Sequence, residues 1–425
     1  MTVLEVLRES GFLRNVFTIL KGSVAAQLIA VMALPLLTRL FSPQTFGVYQ
    51  VYVSVLSWLL VAASLRYEIA IMHARSEDEA QAGIALCVLL NCSFACLVAL
   101  ACAVWSGAAA EVTPTAKTFG WWLAPAVLFA GLGQTLSYVA LRARAYNANA
   151  QARVFQSAVY AAIGLLAGSV KAVTSSLLAA DVAGRAAAAI RLFAKSRVRV
   201  GQWRGLVLSG ALKRFASHHR KFALVALPAG LLNVAGLATT PLFMFLTFDP
   251  ATAGQYALVD RCIQVPIGLV TQAVSQVFTS EFSALLGTRP SAAAGLLRST
   301  VLVHFKLAAG PALGLLIGGP VMIEWVFGSQ WAQAGYFARL MSPLFLISFV
   351  VGPVNMALVL LRKQELQLLW DGVRFGTSIL LWTSVAHWRL TPGNAVALHV
   401  WTNVAIYLLF LLIIYREYRK LHAWT

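Results

Sequence analysis

Acidic side chains are scarce in this sequence. There are 15 Asp and Glu among 425 residues, against 33 Lys and Arg, and charged residues of all kinds make up only 11%. An ordinary soluble chain carries about 25%, so a soluble enzyme is a poor fit. With 60% hydrophobic residues and a mean hydropathy of +0.77, a disordered chain and a collagen-like repeat are excluded as well. Cysteine is equally sparse, at five residues. Cys87, Cys92, Cys96 and Cys102 fall within one predicted helix, where small apolar packing explains them. There is no Cys-x-x-Cys pair and no His/Cys group with zinc spacing, so no disulfide framework, metal site or cofactor is expected. Also missing are a phosphate loop, a His-Glu-x-x-His run and a nucleophile elbow. The chain reads as a non-enzyme whose work is not driven by its own ATP hydrolysis.

What the chain does have is long apolar runs. A helix needs roughly 20 such residues to cross the hydrocarbon core, and about twelve runs qualify: 15–37, 46–65, 81–105, 119–141, 154–170, 175–192, 222–246, 253–279, 302–325, 336–361, 366–385 and 394–415. The sixth is the weakest, interrupted by Asp181, Arg185 and a run of alanines. Charge in the connections tests the count. With the N-terminus in the cytoplasm, only Arg39, Lys117, Lys171 and Arg389 fall on the far side. Arg185, Arg261, Arg339 and Arg374 lie within spans, and the rest of the 33 basic residues are cytoplasmic. The net charge of +18 is thus a topology signal, and no nucleic-acid partner is implied. A cleaved signal peptide is not expected, because the first span is too long and no small-residue site ends it. The expectation is a multi-pass membrane protein with both termini cytoplasmic.

A basic stretch over 194–221 separates six spans from six, giving an N-terminal bundle at 1–193 and a C-terminal bundle at 222–425. The halves resemble each other. Pro35-Leu36, Leu40-Phe41-Ser42-Pro43, Gly47 and Tyr49 match Pro241-Leu242, Thr247-Phe248-Asp249-Pro250, Gly254 and Tyr256. Six helices separate the copies, so the repeat is parallel. The expected fold is an all-α membrane protein of about twelve transmembrane helices in two six-helix bundles, with a central cavity suited to alternating access. Pro228 and Pro241 make the seventh span the best place for a helix whose bend changes.

Ionisable groups inside spans are costly and point to function by default. Asp181 and Arg185, at i,i+4, and Asp371 and Arg374, at i,i+3, share a helix face and can neutralise one another. Asp260 and Arg261 are adjacent and face different directions, so Arg261 is the leading cavity group. Arg39, Arg66 and Glu68 sit at the ends of the first two spans, and Arg339 near the end of the tenth. Arginine keeps its charge and offers a planar fork matched to phosphate oxygens, so Arg261, Arg39, Arg66, Arg374, Arg185 and Arg339 favour an anionic cargo. Asp260, Asp371, Asp181 and Glu68 are the matching candidates for ion coupling or charge balance. His304 and His399 are embedded and read as core histidines or proton relays.

The segments Gly22–Ala30, Pro35–Pro43, Phe46–Tyr49, Leu65–Ile71, Gly254–Arg261, Ala273–Phe278 and Phe327–Trp331, in that order, resemble the Wzx-type repeat-unit flippases of surface polysaccharide assembly. These belong to the multidrug/oligosaccharidyl-lipid/polysaccharide exporter (MOP) superfamily. The resemblance implies a cargo of undecaprenyl-diphosphate-linked oligosaccharide, moved from the cytoplasmic to the outer leaflet for O-antigen, capsule or exopolysaccharide. It also implies membrane lipids, a polysaccharide polymerase and a chain-length regulator as partners, and points to Arg39, Arg66 and Arg261 as cargo contacts, with Asp260 offsetting the last. The nearest rival is a drug or cation exporter of the same superfamily, which should bury more acid than this chain does. A facilitator-superfamily transporter lacks support, because no Gly-x-x-x-Asp-Arg follows span two. A peptidoglycan-precursor flippase would need about fourteen spans. A polysaccharide polymerase or ligase needs a large extracytoplasmic loop, and a non-transporting scaffold explains neither the buried charges nor the repeat.

Overall fold

The computed structural model describes residues 12–108, 114–196 and 198–422; of the expected cytoplasmic basic residues, Arg8 and Arg197 lie outside them. The described residues are mostly helical, without strands. Twelve long helices stand where the apolar runs predict them. They are α1 (Phe12–Leu40), α2 (Pro43–Ala63), α3 (Glu77–Ala108), α4 (Pro114–Arg142), α5 (Tyr146–Val170), α6 (Thr174–Lys195), α7 (Leu227–Thr247), α8 (Pro250–Thr288), α9 (Pro290–Phe327), α10 (Ala332–Val351), α11 (Gln364–His387) and α12 (Pro392–His422). Eight are long and apolar enough to cross a membrane, and α7 with the turn before it makes a ninth as a bent span. The other three fall short for visible reasons. Of α1 the apolar part described is Val24–Leu40, α6 carries Asp181 and Arg185, and α11 carries Asp371 and Arg374.

The chain divides into two compact units, Met1–Ala238 and Thr239–Thr425. The division falls within α7, at a bend of 50° between Phe222–Gly236 and Ala238–Thr247. Pro241 explains its place: proline has no N–H for the carbonyl four residues back, at position 237, and its ring crowds that carbonyl. At the other end of α7, Phe222–Ala226 forms a turn of π-helix just before Pro228. The basic stretch is itself helical over Trp203–Leu208 and Ala211–His218. Phe215 of the second segment is buried in the first unit with Tyr67, Ala80, Ile84 and Val139.

One connection departs from expectation. The segment around Arg289 and Arg298 is almost all helix: α8 runs for 39 residues and α9 for 38, meeting at Arg289–Pro290. At 1.5 Å per residue each is about 57 Å long, nearly twice the roughly 30 Å hydrocarbon core, so both project beyond it. Hydropathy fades there, but the Ala- and Leu-rich sequence keeps its helical propensity.

The repeated motif is a helix start in both halves. Ser42 caps α2, its hydroxyl accepting from the Thr45 N–H at 3.4 Å, with Pro43 in the first turn. Asp249 caps α8, accepting from the Ala251 and Thr252 N–H groups at 2.8 and 3.0 Å, with Pro250 following. Burial pushes the Asp249 carboxyl up, but the Thr252 hydroxyl and the backbone N–H groups outweigh it and hold the group below the usual carboxylate range. The second unit's core gathers Phe278, Phe282, Val354, Leu358, Trp370 and Phe410. Its α9 and α10 pack closely enough that a β-carbon on Gly335 would come within 2.6 Å of the Pro320 Cα.

Candidate functional site

The first unit buries its charge on α6. Asp181 is 6% exposed and receives four donors: Tyr49 Oη at 3.2 Å, Tyr52 Oη at 3.1 Å, and Arg185 Nε and Nη2 at 2.6 and 3.2 Å. A carboxylate out of water is tolerable only when paired and hydrogen-bonded in this way. The i,i+4 spacing supplies the arginine from the same helix face, and α2 supplies both tyrosines three residues apart.

A second buried carboxylate lies after α2. Glu68 is fully buried, accepts from Gln134 Nε2 at 2.9 Å and from the Ser64 hydroxyl, and stands 3.7 Å from Arg66 Nη1. Arg66 has a left-handed backbone, with φ of 64°, a conformation costing about 1–3 kcal/mol for a non-glycine residue. Its guanidinium lies over Gly230 of α7, where any β-carbon would occupy the same space.

Between these two ion pairs is a cavity of about 200 Å³, wholly within the first unit. Arg185, Gln134, Ser137, Asn149, Arg153 and Gln156 supply its polar lining. Gln134 both lines the cavity and holds Glu68, and Arg185 both lines it and holds Asp181. The lining is rich in N–H donors and contains no carboxylate, which suits oxygen-rich and anionic groups. No nucleophile–base pair is among its lining residues.

The remaining residues singled out from sequence are placed separately. Arg39 is exposed at the end of α1. Asp260 and Arg261 are half-buried on α8, with Gln264 Nε2 3.5 Å from Asp260. Asp371 and Arg374 do not pair: Asp371 is exposed and accepts from Gln367, while Arg374 lies over the Trp370 ring at 5.1 Å. Arg339 Nε donates to the Leu316 carbonyl at 3.1 Å. That carbonyl has lost its helical donor because Pro320 stands four residues later, so Arg339 is tied to the α9 backbone. His304 accepts a structural role, its Nδ1 2.7 Å from the Thr300 carbonyl.

Sequence reasoning missed the tyrosines and the α4–α5 lining. A signal was available. Asn149, Arg153, Gln156 and Tyr160 recur at steps of four, three and four along α5, which puts them on one face.

A family model described as polysaccharide biosynthesis protein matches residues 36–335. The chain belongs to that family. Members of the polysaccharide biosynthesis protein family are thereby its sequence kin, while no curated protein matches it by sequence. Among solved structures, the lipid II flippase MurJ in an inward closed conformation is similar, with a TM-score of 0.69 at 11% identity over 94% of this chain and 89% of that one. An inward-facing multidrug resistance MATE family transporter of the MOP superfamily gives 0.68 at 11% identity over 93% and 96%. A MOP superfamily transporter from Pyrococcus furiosus gives 0.53 at 12% identity over 96% of both chains. At such identities the likeness is one of fold. This member of the polysaccharide biosynthesis protein family is a multi-pass membrane protein with the MOP transporter architecture.

Proposed function

We propose that the chain is a flippase that moves undecaprenyl-diphosphate-linked oligosaccharide repeat units from the cytoplasmic to the outer leaflet of the bacterial inner membrane, by alternating access, for surface polysaccharide assembly. The observation that carries the reading is the conjunction of polysaccharide biosynthesis family membership with a MOP transporter fold. A neighbour in fold is named as a flippase of another lipid-linked molecule. The physical problem fits the architecture: a sugar head cannot enter hydrocarbon, whereas donor-lined space within helices can shelter it while the polyprenyl tail stays in lipid.

The chemistry of the first unit supports an anionic, oxygen-rich cargo over a cationic drug. A cation exporter needs a carboxylate that its cargo can reach. Asp181 is instead enclosed by Arg185 and two tyrosines, and Glu68 by Gln134, Ser64 and Arg66. Arg261, Arg66 and Arg39 are the proposed contacts for the diphosphate, and Asp260 balances the charge of Arg261.

The test is the leaflet distribution of lipid-linked oligosaccharide in proteoliposomes containing the purified protein, read with an impermeant glycosidase. Protein-dependent exposure of the sugar supports the flippase, and repeating the assay under imposed proton or sodium gradients identifies the coupling ion. Absence of exposure with correctly folded protein and the host's own lipid-linked unit overturns the reading.

A further inference from the structure

The basic stretch before α7 brings together three groups that the transport reading does not use. Glu79, in the first turn of α3, and His218 and His219, at the end of the Ala211–His218 helix, place one ligand atom each within 4.8 Å of one another. They lie about 140 positions apart in the chain, which is why spacing rules do not reveal them. From this geometry we propose that Glu79, His218 and His219 bind a divalent transition-metal ion of the zinc class.

The site is partly built. The Glu79 carboxylate is fixed by a reciprocal cap: its Oε2 accepts from the Arg75 N–H at 2.6 Å while its own N–H donates to the Ser76 hydroxyl at 3.1 Å. That leaves Oε1 facing His219 Nε2 at 3.2 Å. His219 is buried and held by Phe215, whose ring centre is 4.5 Å away. A tetrahedral ion with ligands at about 2.0–2.1 Å separates its donors by about 3.3–3.4 Å, so these two groups already define one edge of the polyhedron. His218 supplies the third ligand. Its ring is exposed and stands edge-on to His219 at 4.7 Å, free to rotate inward by the small distance that remains.

The donor set is two imidazoles and one carboxylate, and the imidazoles, as borderline ligands, favour Zn²⁺ and Co²⁺ over Mg²⁺ or Ca²⁺. A fourth position opens toward a pocket of about 590 Å³ lined by Arg75, Asp78, Ser209, Arg214 and His218, and water can occupy it. Asp78 and Glu77 add negative charge beside Glu79 and offset Arg75 and Arg214. The consequence of binding is a cross-link. The ion would pin the basic helix to the start of α3, across the surface that Phe215 already buries.

The experiment uses the full chain, tag removed and treated with chelator, in detergent micelles, titrated with CoCl₂ and then with ZnCl₂. The expected result is one Co²⁺ per chain with the visible d–d absorption of a four-coordinate ion, no thiolate-to-cobalt charge-transfer band, and displacement by Zn²⁺. His218→Ala, which removes an exposed ring, and Glu79→Gln, which keeps the hydrogen bond to Arg75, should each weaken binding at least tenfold. Zn²⁺ should also slow tryptic cleavage after Lys213 and Arg214 several-fold in the parent chain and not in His218→Ala. A folded protein that binds no Co²⁺ stoichiometrically overturns the proposal. So does a thiolate band that disappears in Cys92→Ser/Cys96→Ser, or an affinity that His218→Ala leaves unchanged.

Discussion

The two halves of this chain start from one plan and spend their polar residues in different places. Tyr49 and Tyr256, in the same register after Pro43 and Pro250, are both buried, and each meets the eighth residue of the sixth long helix of its half. In the first half that residue is Asp181, with Arg185 one turn on. In the second it is His399, with Asn403 one turn on and the Tyr256 ring edge-on at 6.5 Å. The first half has thus placed an ion pair where the second has an imidazole and an amide. On the second helix of each half the order is reversed. Arg261 stands in register with the buried Ser54, and Asp260 with Val53. A duplicated framework tolerates such exchange because the framework is carried by capped helix starts and close-packed small residues, and the polar groups need only local partners.

Several substitutions would break or sharpen this contrast. The largest effect is expected from Arg261→Ala, which should abolish leaflet transfer at normal protein abundance; the conservative Ser54→Ala should not, and wild-type transfer in Arg261→Ala would remove that residue from the site. Asp181→Ala should come next, since it leaves Arg185 buried without its carboxylate at a cost of about 3–5 kcal/mol, read as a fall in the unfolding temperature of the purified protein. The double change Asp181→Leu/Arg185→Leu should recover much of that loss. His399→Leu, at the equivalent place, removes no charge pair and should cost clearly less than Asp181→Ala. Tyr52→Phe deletes one hydroxyl donated to a charged group, worth about 1.5–3 kcal/mol, while Tyr256→Phe should be nearly silent if only its ring matters.

The smallest effects are at the caps. Ser42→Ala and Asp249→Ala should each cost about 1 kcal/mol, but only the second is pH-dependent. The Asp249 carboxyl is lowered in the folded protein, so its contribution is present above the ordinary carboxylate range and is lost as pH falls through the lowered value. An acid titration of stability should therefore lose a component in Asp249→Ala and keep it in Ser42→Ala.

Much of the fold could be read from the sequence, and for a plain reason. In hydrocarbon every backbone group must be satisfied within its own helix, so hydropathy alone locates the helices, and the Pro-x-x-x-Gly spacing fixes the repeat. The lengths of α8 and α9 were not legible, because a helix that continues into water stops being apolar without ceasing to be a helix. The Asp181–Arg185 pair was legible from its i,i+4 spacing, whereas Asp371 and Arg374 show that spacing offers a pair and neighbours decide: Trp370 takes the arginine and Gln367 the aspartate. The tyrosines that complete the Asp181 site were hidden because an aromatic residue in a membrane span looks like core. Arg339 shows the converse. Its charge suggests a ligand, and its geometry shows a donor that closes the carbonyl opened by Pro320.

The ion pair on α6 has a further consequence, electrical rather than structural. Moving one elementary charge through a membrane potential involves about 2.3 kcal/mol per 100 mV. Asp181 and Arg185 sum to zero and ride on the same turn, so a uniform field exerts no net force on them as α6 translates. Whatever voltage sensitivity this protein has must then come from charges without such a companion, and an electrophysiological or potential-clamped flux measurement should be insensitive to neutralising the pair together.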